Sequence, residues 1–399
     1  MAVDLTVNVC GIEFKNPIVI ASATPTKDAK YMKKAVDSGA GAIIAKSISS
    51  EEMMRKYVRP RFTILYKKGW PYCFSNYSCE FLATYTPEDW VNELKEVKKY
   101  CERNNTILIG SVAGKDVDDW IKLSKMVMEA GVDMIELNFG CPHPKGLKMG
   151  FELGRDAKIC AEIVKSVKSI VNIPIFAKLT PEGVDVVEVA KELEKAGVDG
   201  ITAINRYPAL DIDIESCRPL LHSTFAGVGG PWMLPITLKW IAKLAMEIKI
   251  PISATNGIWT WQDIVKCIMC GASTVQTCTA IMYGRFGYGI VKNFIDGLKE
   301  FMERKGFNKI NEFKGIILNQ ILPFDKIDRD TKLWSVVNEE KCNGCRLCLN
   351  WCFYDAITMR TIGKKEIASI DKMKCDGCGL CVSLCPMNAI TMEGARVYL

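Results

Sequence analysis

The sequence predicts an α/β protein, a (β/α)8 TIM barrel followed by a small cysteine-rich α+β module. Three observations carry this reading. Eight short apolar runs alternate with amphipathic stretches between about residues 16 and 305, several of those runs end in a polar residue, and two cysteine runs of identical spacing lie near the C-terminus. Strands buried on both faces read as near-continuous apolar runs, and eight of them alternating with helix-length segments is the count of a closed parallel barrel.

The strand candidates are, in order, 17–22 (PIVIAS), 42–46 (AIIAK), 106–111 (TILIGS), 133–138 (DMIELN), 174–178 (PIFAK), 200–205 (GITAIN), 251–255 (PISAT) and 273–277 (STVQT). Helical segments such as 156–169 and 184–195 separate them. Barrel active sites form at the C-terminal ends of the strands, so Ser22, Lys46, Asn138, Lys178 and Asn205 together mark where a site is expected. Two connections are long: 47–86, rich in aromatics, and 206–230. Long loops at this end of a barrel form lids and substrate walls. The barrel is assigned to residues 1–305, a linker without clear period to 306–335, and the C-terminal module to 336–399.

That module carries Cys342, Cys345, Cys348 and Cys352 in C-x2-C-x2-C-x3-C spacing, then Cys375, Cys378, Cys381 and Cys385 in the same spacing, with Pro386 following. Two such runs mark a bacterial-type ferredoxin domain with two [4Fe–4S] clusters, in which the last cysteine of each run ligates the other cluster. One cluster is therefore assigned Cys342, Cys345, Cys348 and Cys385, the other Cys375, Cys378, Cys381 and Cys352. Zinc is disfavoured because its CxxC pairs stand further apart.

Composition sets the remaining bounds. A hydrophobic fraction of 49% with 25% charged residues over 399 residues suits a globular protein with a real core, and the net charge of +6 is too mild to point to nucleic acid. With no apolar run of membrane-spanning length and no signal-like N-terminus, a cytoplasmic protein with no membrane partner is expected. The ten scattered cysteines read as reduced thiols. Histidine chemistry has two candidates, His143 and His222.

The most telling barrel segment is 136–146, ELNFGCPHPKG, which puts Asn138, Cys141 and His143 on the loop after the fourth strand. A thiol at the barrel mouth can serve as the acid that protonates a carbon once a hydride has reached its neighbour. Glycine-containing segments at 226–230, 254–258 and 277–280 read as a phosphate cup, the last two at the strand ends where barrels recurrently hold phosphate. No G-x-G-x-x-G follows a strand within a βαβ unit, so a nicotinamide domain is not evident.

On these residues the chain resembles the dihydropyrimidine dehydrogenases, and more broadly the dihydroorotate dehydrogenases. The matching segments are ASATP at 21–25, AKSIS at 45–49, LNFGCPH at 137–143, FAKLTP at 176–181, TAIN at 202–205 and ATNGI at 254–258, with the cluster cysteines following. The resemblance implies FMN in the barrel. It would place Ala21 and Ser22 along the flavin and Lys46 and Lys178 on its ring or ribityl chain. Asn76, Asn138 and Asn205 would lie between flavin and substrate, and Gly230, Asn256, Gly257, Cys278 and Thr279 around the phosphate. Cys141 takes the proton donor's position and His143 that of a substrate contact. The expected activity is reduction, or in reverse formation, of an activated ring C=C bond. The first substrate expectation is a pyrimidine base, with electrons from an FAD/NAD(P)H-binding subunit or a ferredoxin, and a homo- or hetero-oligomer follows from the resemblance.

Three departures from the family pattern stand out. The family's L-S-C-P-H-G reads Phe139-Gly140-Cys141-Pro142-His143-Pro144; a threonine at the substrate is replaced by Arg206; and the N-x-E segment becomes Asn76-Tyr77-Ser78-Cys79-Glu80, leaving Ser78 or Glu80 as its acidic position. A guanidinium beside the ring calls for an anionic partner. The alternative substrate is therefore a carboxylate-bearing heterocycle, orotate- or oxo-nicotinate-like, bound through Arg206, unless Arg206 turns outward or pairs with Asp211 or Asp213. Two other readings are an RNA dihydrouridine synthase, suggested by the N-x-G-C-P loop, and an electron-transfer subunit with an inactive barrel.

Overall fold

The computed structural model describes residues 3–65, 74–140, 151–223 and 225–394. Two compact units divide at residues 320 and 321. In the first, eight parallel strands close into a barrel: β1 (Ile18–Ile20), β2 (Ala42–Ile44), β3 (Ile107–Val112), β4 (Met134–Asn138), β5 (Ile175–Lys178), β6 (Gly200–Ala203), β7 (Ile252–Thr255) and β8 (Thr274–Thr277). Each strand pairs with its sequence neighbours, and β8 closes on β1 through Val275↔Ile18 and Thr277↔Ile20. Seven of the expected apolar runs contain one of these strands whole and the eighth, 106–111, stops one residue short of the end of β3; runs buried on both faces stand out from their amphipathic surroundings.

Several of the helices between them are fixed at their starts by side-chain caps. Thr86 accepts from the Asp89 amide at the head of Pro87–Arg103, whose Trp90, Leu94, Val97 and Cys101 recur at helical spacing and are buried. Asp156 and Asp185 cap Ala157–Lys168 and Val186–Lys195 in the same way. At the other end of the barrel, a hairpin of Val7–Val9 and Ile12–Phe14 packs Val9 and Phe14 against the inward-facing Val19, Ile44 and Ile109.

The two long connections build one structure together. Phe62–Leu65 and Ser75–Ser78 from the first join Ala226–Gly229 and Tyr207–Ala209 from the second in a four-stranded antiparallel sheet. Segment 226–229, read from sequence as part of a phosphate cup, is thus a strand of this sheet.

After the long helix Ile290–Lys305, residues 306–320 stay with the barrel unit, with Ile310 and Phe313 fully buried in its core. This corrects the expectation of a linker beginning at 306: the segment folds as short 3-10 turns, which carry no period for sequence reading to detect. The second unit, by itself, is an α+β ferredoxin-type domain. Trp334–Val337 pairs with Ile390–Glu393, Ile357–Ile362 pairs with Lys365–Ile370, and two short helices, Leu347–Trp351 and Leu380–Leu384, each carry the third cysteine of a run. Among the described residues no helix is long and apolar enough to cross a membrane.

Candidate active site

One large cavity opens at the C-terminal ends of the barrel strands, with a volume of about 860 Å³ including the part open to solvent. That lies within the range of ligand pockets, roughly 300–1,000 Å³. Ala21 and Ser22 after β1, Lys46 after β2, Asn138 and Lys178 at the tips of β4 and β5, and Asn205 and Arg206 after β6 all line it. Asn256 and Gly257 after β7 and Cys278 and Thr279 after β8 line it too, and Asn76 reaches it from the lid sheet. Gly230 is outside this lining; it caps a 3-10 turn where an added Cβ would lie 2.3 Å from the Phe74 carbonyl. Cys141 and His143 lie outside the described residues, and the side chain of His222 is likewise not described.

Hydrogen bonds lock the polar residues in place. Ser47, which sequence reading overlooked, accepts from the Asn138 amide at 3.1 Å and pairs with Ser22 and Ser111 at 3.2 and 2.7 Å. Asn205 donates to the carbonyl of Gly140, the residue before Cys141, and Asn138 accepts from the Gly140 amide at 3.3 Å. Both asparagines therefore hold Gly140, the residue before Cys141, in place. Asn76 accepts from the Tyr283 hydroxyl at 2.8 Å, and Phe74 packs edge-on against Trp259 at 5.0 Å and Tyr283 at 5.6 Å, so the lid sheet is fastened to the loops after β7 and β8.

Charge is arranged in two layers. In the floor, Lys178 lies 3.7 Å from the fully buried Glu136, whose other oxygen accepts from Thr202 and Gln276. At the mouth, Lys46 and Glu80 form a buried ion pair at 2.7 Å, and Thr24 donates to the same Glu80 oxygen at 2.6 Å. Burial alone would raise the Glu80 carboxyl, but the charges of Lys46 and Arg206 and the hydrogen bonds from Lys46 and Thr24 outweigh it and bring it down to about 2. Burial pushes the Cys278 thiol up to about 12, which keeps it neutral in the cavity wall.

Glu80 is a group whose folded-state value is depressed. Its contribution to stability is present above its ordinary value of 4.5 and is lost as pH falls from there toward about 2. Glu80→Gln is expected to destabilise the barrel by roughly 3–5 kcal/mol at neutral pH, because it leaves Lys46 buried and unpaired. Anaerobic urea unfolding followed by circular dichroism checks this; an unchanged midpoint would contradict the pairing.

Ser78 and Glu80, both candidates for the family's acidic position, take different partners. Ser78 sits in register on its strand opposite Gly227 and accepts from Arg206, whereas Glu80 holds Lys46. Arg206 faces the cavity rather than Asp211 or Asp213, whose carboxylates accept from the Ile212 amide, and from Glu215 and Ser216.

The residues fit a flavin mononucleotide. Asn256 and Gly257 both take positive φ, 87° and 86°, and a Cβ at Gly257 would lie 2.4 Å from the Leu234 backbone nitrogen, so only glycine fits this turn beside the cavity. Gln276 in the lining has a buried side-chain oxygen with no donor among the described residues, an acceptor available to a bound ring. In the second unit, Cys342, Cys345, Cys348 and Cys385 line one cavity of about 340 Å³, and Cys352, Cys375, Cys378 and Cys381 line another of about 320 Å³. Each set of four thiols suits a [4Fe–4S] cluster, and the sets are crossed between the two runs.

Comparison with known proteins agrees with this geometry. Residues 4–302 match the dihydroorotate dehydrogenase family and residues 335–392 the 4Fe-4S dicluster domain. The NAD-dependent dihydropyrimidine dehydrogenase subunit PreA of Escherichia coli (strain K12) is 32% identical over 359 residues, covering 88% of this chain and 85% of its own. The catalytic subunit of dihydroorotate dehydrogenase B (NAD(+)) from Pyrococcus abyssi is 35% identical over 315 residues, 79% of this chain and 99% of its own. Its counterpart from Methanocaldococcus jannaschii is 34% identical over 301 residues, 75% and 94% respectively. Barrel and dicluster domain agree with the fold: the chain belongs to the dihydroorotate dehydrogenase family and is an iron–sulfur oxidoreductase of that type.

Proposed function

We propose that the protein binds one FMN and two [4Fe–4S] clusters and reduces, or in reverse forms, the activated C=C bond of a pyrimidine or pyrimidine-like ring. The observation that carries this reading is the convergence of Lys46, Asn76, Asn138, Lys178 and Asn205 on one cavity with the Asn256–Gly257 turn and Thr279 at its edge. When bound, FMN supplies hydride chemistry at N5 and the clusters supply one-electron transfer.

The chain's own residues do the rest. Asn138, Asn205 and Asn76 offer amide donors and acceptors to the ring's polar edge and fix its orientation, which is where much of a positioned reaction's advantage originates. Lys46 and Lys178 place positive charge along the flavin, and Glu80 and Glu136 hold each ammonium in a defined position. Saturating the ring bond consumes two electrons and two protons; Cys141 delivers one proton to the carbon next to the hydride acceptor and is reprotonated from solvent. The lid sheet excludes water over the ring. With no nicotinamide-binding fingerprint in the chain, a separate FAD/NAD(P)H-binding subunit or a ferredoxin supplies electrons.

Cofactor analysis of anaerobically purified protein tests this reading. One FMN and about eight iron atoms per chain are expected. FAD in place of FMN, or a barrel that takes up no flavin while the iron is complete, would overturn it.

A further inference from the structure

A second large cavity lies at the end of the barrel opposite the active site. It sits at the feet of β7 and β8, where Pro251 and Ser273 precede the two strands, and its volume is about 1080 Å³ including the part open to solvent. Three segments far apart in the chain wall it: the N-terminal hairpin, the end of the helix Leu234–Glu247 with the turn after it, and the 3-10 turns of 311–318. Those turns are pinned from below, the Gly315 amide donating to the Ile268 carbonyl at 2.9 Å. Ile248, Pro251 and Leu318 give the cavity an apolar wall, while Asn8, Lys249 and Lys314 bring polar groups, and among the described residues no carboxylate lines it. The Lys314 ammonium donates to the hydroxyl of the buried Ser273 at 2.6 Å. Burial holds that ammonium below its ordinary value, and no neighbouring charge offsets the loss. The carboxylates of adjoining segments are committed elsewhere: Glu194 accepts from the amides of Lys249 and Ile250 at 2.8 and 3.2 Å, Glu247 pairs with Lys191, and Asp199 pairs with Lys168. Among the described residues neither Lys249 nor Lys314 has a carboxylate within ion-pair distance.

Two unpaired cations beside an apolar wall call for an anion with an apolar or planar body. Lysine ammoniums are point charges that meet the tetrahedral dianion of a phosphate, whereas a planar carboxylate is better met by an arginine fork. We propose that this cavity is a second binding site, for a phosphomonoester of mononucleotide size, its phosphate bound by Lys249 and Lys314 and its body lying on Ile248, Pro251 and Leu318. The site is separate from the active cavity, and the proposal does not depend on which ring the barrel mouth accepts.

The test is calorimetric titration of the cofactor-replete full chain with uridine 5′-monophosphate, adenosine 5′-monophosphate, the two nucleosides and inorganic phosphate. At least one nucleotide is expected to bind roughly tenfold or more tighter than its nucleoside and than inorganic phosphate. Lys249→Met and Lys314→Met should each weaken it by about tenfold, and the double variant should abolish it, with flavin and iron content unchanged in all three. Lys314→Arg, which keeps the charge, should retain most of the affinity. Lys299→Met, at an exposed lysine on the helix Ile290–Lys305, should leave it unaltered. Failure of both nucleotides to bind, or a nucleoside binding as tightly as its nucleotide, overturns the proposal. Binding that persists in the Lys249→Met/Lys314→Met protein belongs to another site and overturns it too, and an equal loss in Lys299→Met reduces it to general electrostatics.

Discussion

Replacing Cys141 with alanine is expected to lower turnover by about 10²- to 10⁴-fold while flavin and iron content stay unchanged, the usual contribution of a positioned proton donor. β4 ends in Asn138, and the amide and carbonyl of Gly140, one residue before Cys141, are tied to Asn138 and Asn205. The two residues that flank the ring in the proposed arrangement therefore also fix the position of Gly140. A thiol acts as an acid only in its protonated form, so in the reductive direction a fall in rate with rising pH is expected, and Cys141→Ala should lose that limb. Steady-state kinetics across pH 6–10 with a low-potential chemical donor measures both effects. An alanine variant with undiminished turnover would remove Cys141 from the reaction.

The second large effect concerns the crossed cysteine sets. Cys385 lines the cavity of Cys342, Cys345 and Cys348, and Cys352 that of Cys375, Cys378 and Cys381. Substitution within one set is therefore expected to empty one cluster site and spare the other. The Cys342→Ala/Cys385→Ala protein should retain about four iron atoms, whereas Cys375→Ala/Cys385→Ala should retain almost none, because it strikes both sets. Ligation within each run would invert these two results. Either double variant should lose donor-dependent turnover, as each interrupts the route by which single electrons reach the barrel. Iron analysis and low-temperature paramagnetic resonance of the reduced proteins distinguish the cases.

The barrel was legible in the sequence because its strands are apolar runs whose neighbours are not, as in PIVIAS or AIIAK, and because polar residues gather at their ends. The helices were legible for the complementary reason, capped starts and apolar positions at helical spacing. The lid sheet was not. Ser75–Ser78 is polar, Ala226–Gly229 is half glycine, and the two meet from connections far apart in the chain, so neither alternation nor local turn chemistry announces them. The partners of Ser78 and Glu80, Arg206 and Lys46, are likewise far away in the chain and invisible to spacing, and Gly230 lies outside the cavity lining. Ser47 and Gln276 passed unnoticed because small polar residues within or beside strands carry no pattern of their own; their importance lies in partners, Asn138 for one and Glu136 for the other. The cysteine runs stand at the opposite extreme, since eight ligands in fixed spacing announce both the module and its pairing.

The most direct test of the account is anaerobic titration of the fully reduced, cofactor-replete protein with uracil, thymine, orotate and 6-oxo-nicotinate, followed through flavin and cluster absorbance. Reoxidation by at least one of these rings is expected, with two electrons per molecule consumed and recovery of the dihydro ring product. A protein that remains reduced in the presence of every ring compound, yet discharges its electrons readily to a redox protein, would contradict it and make the barrel a scaffold for electron transfer.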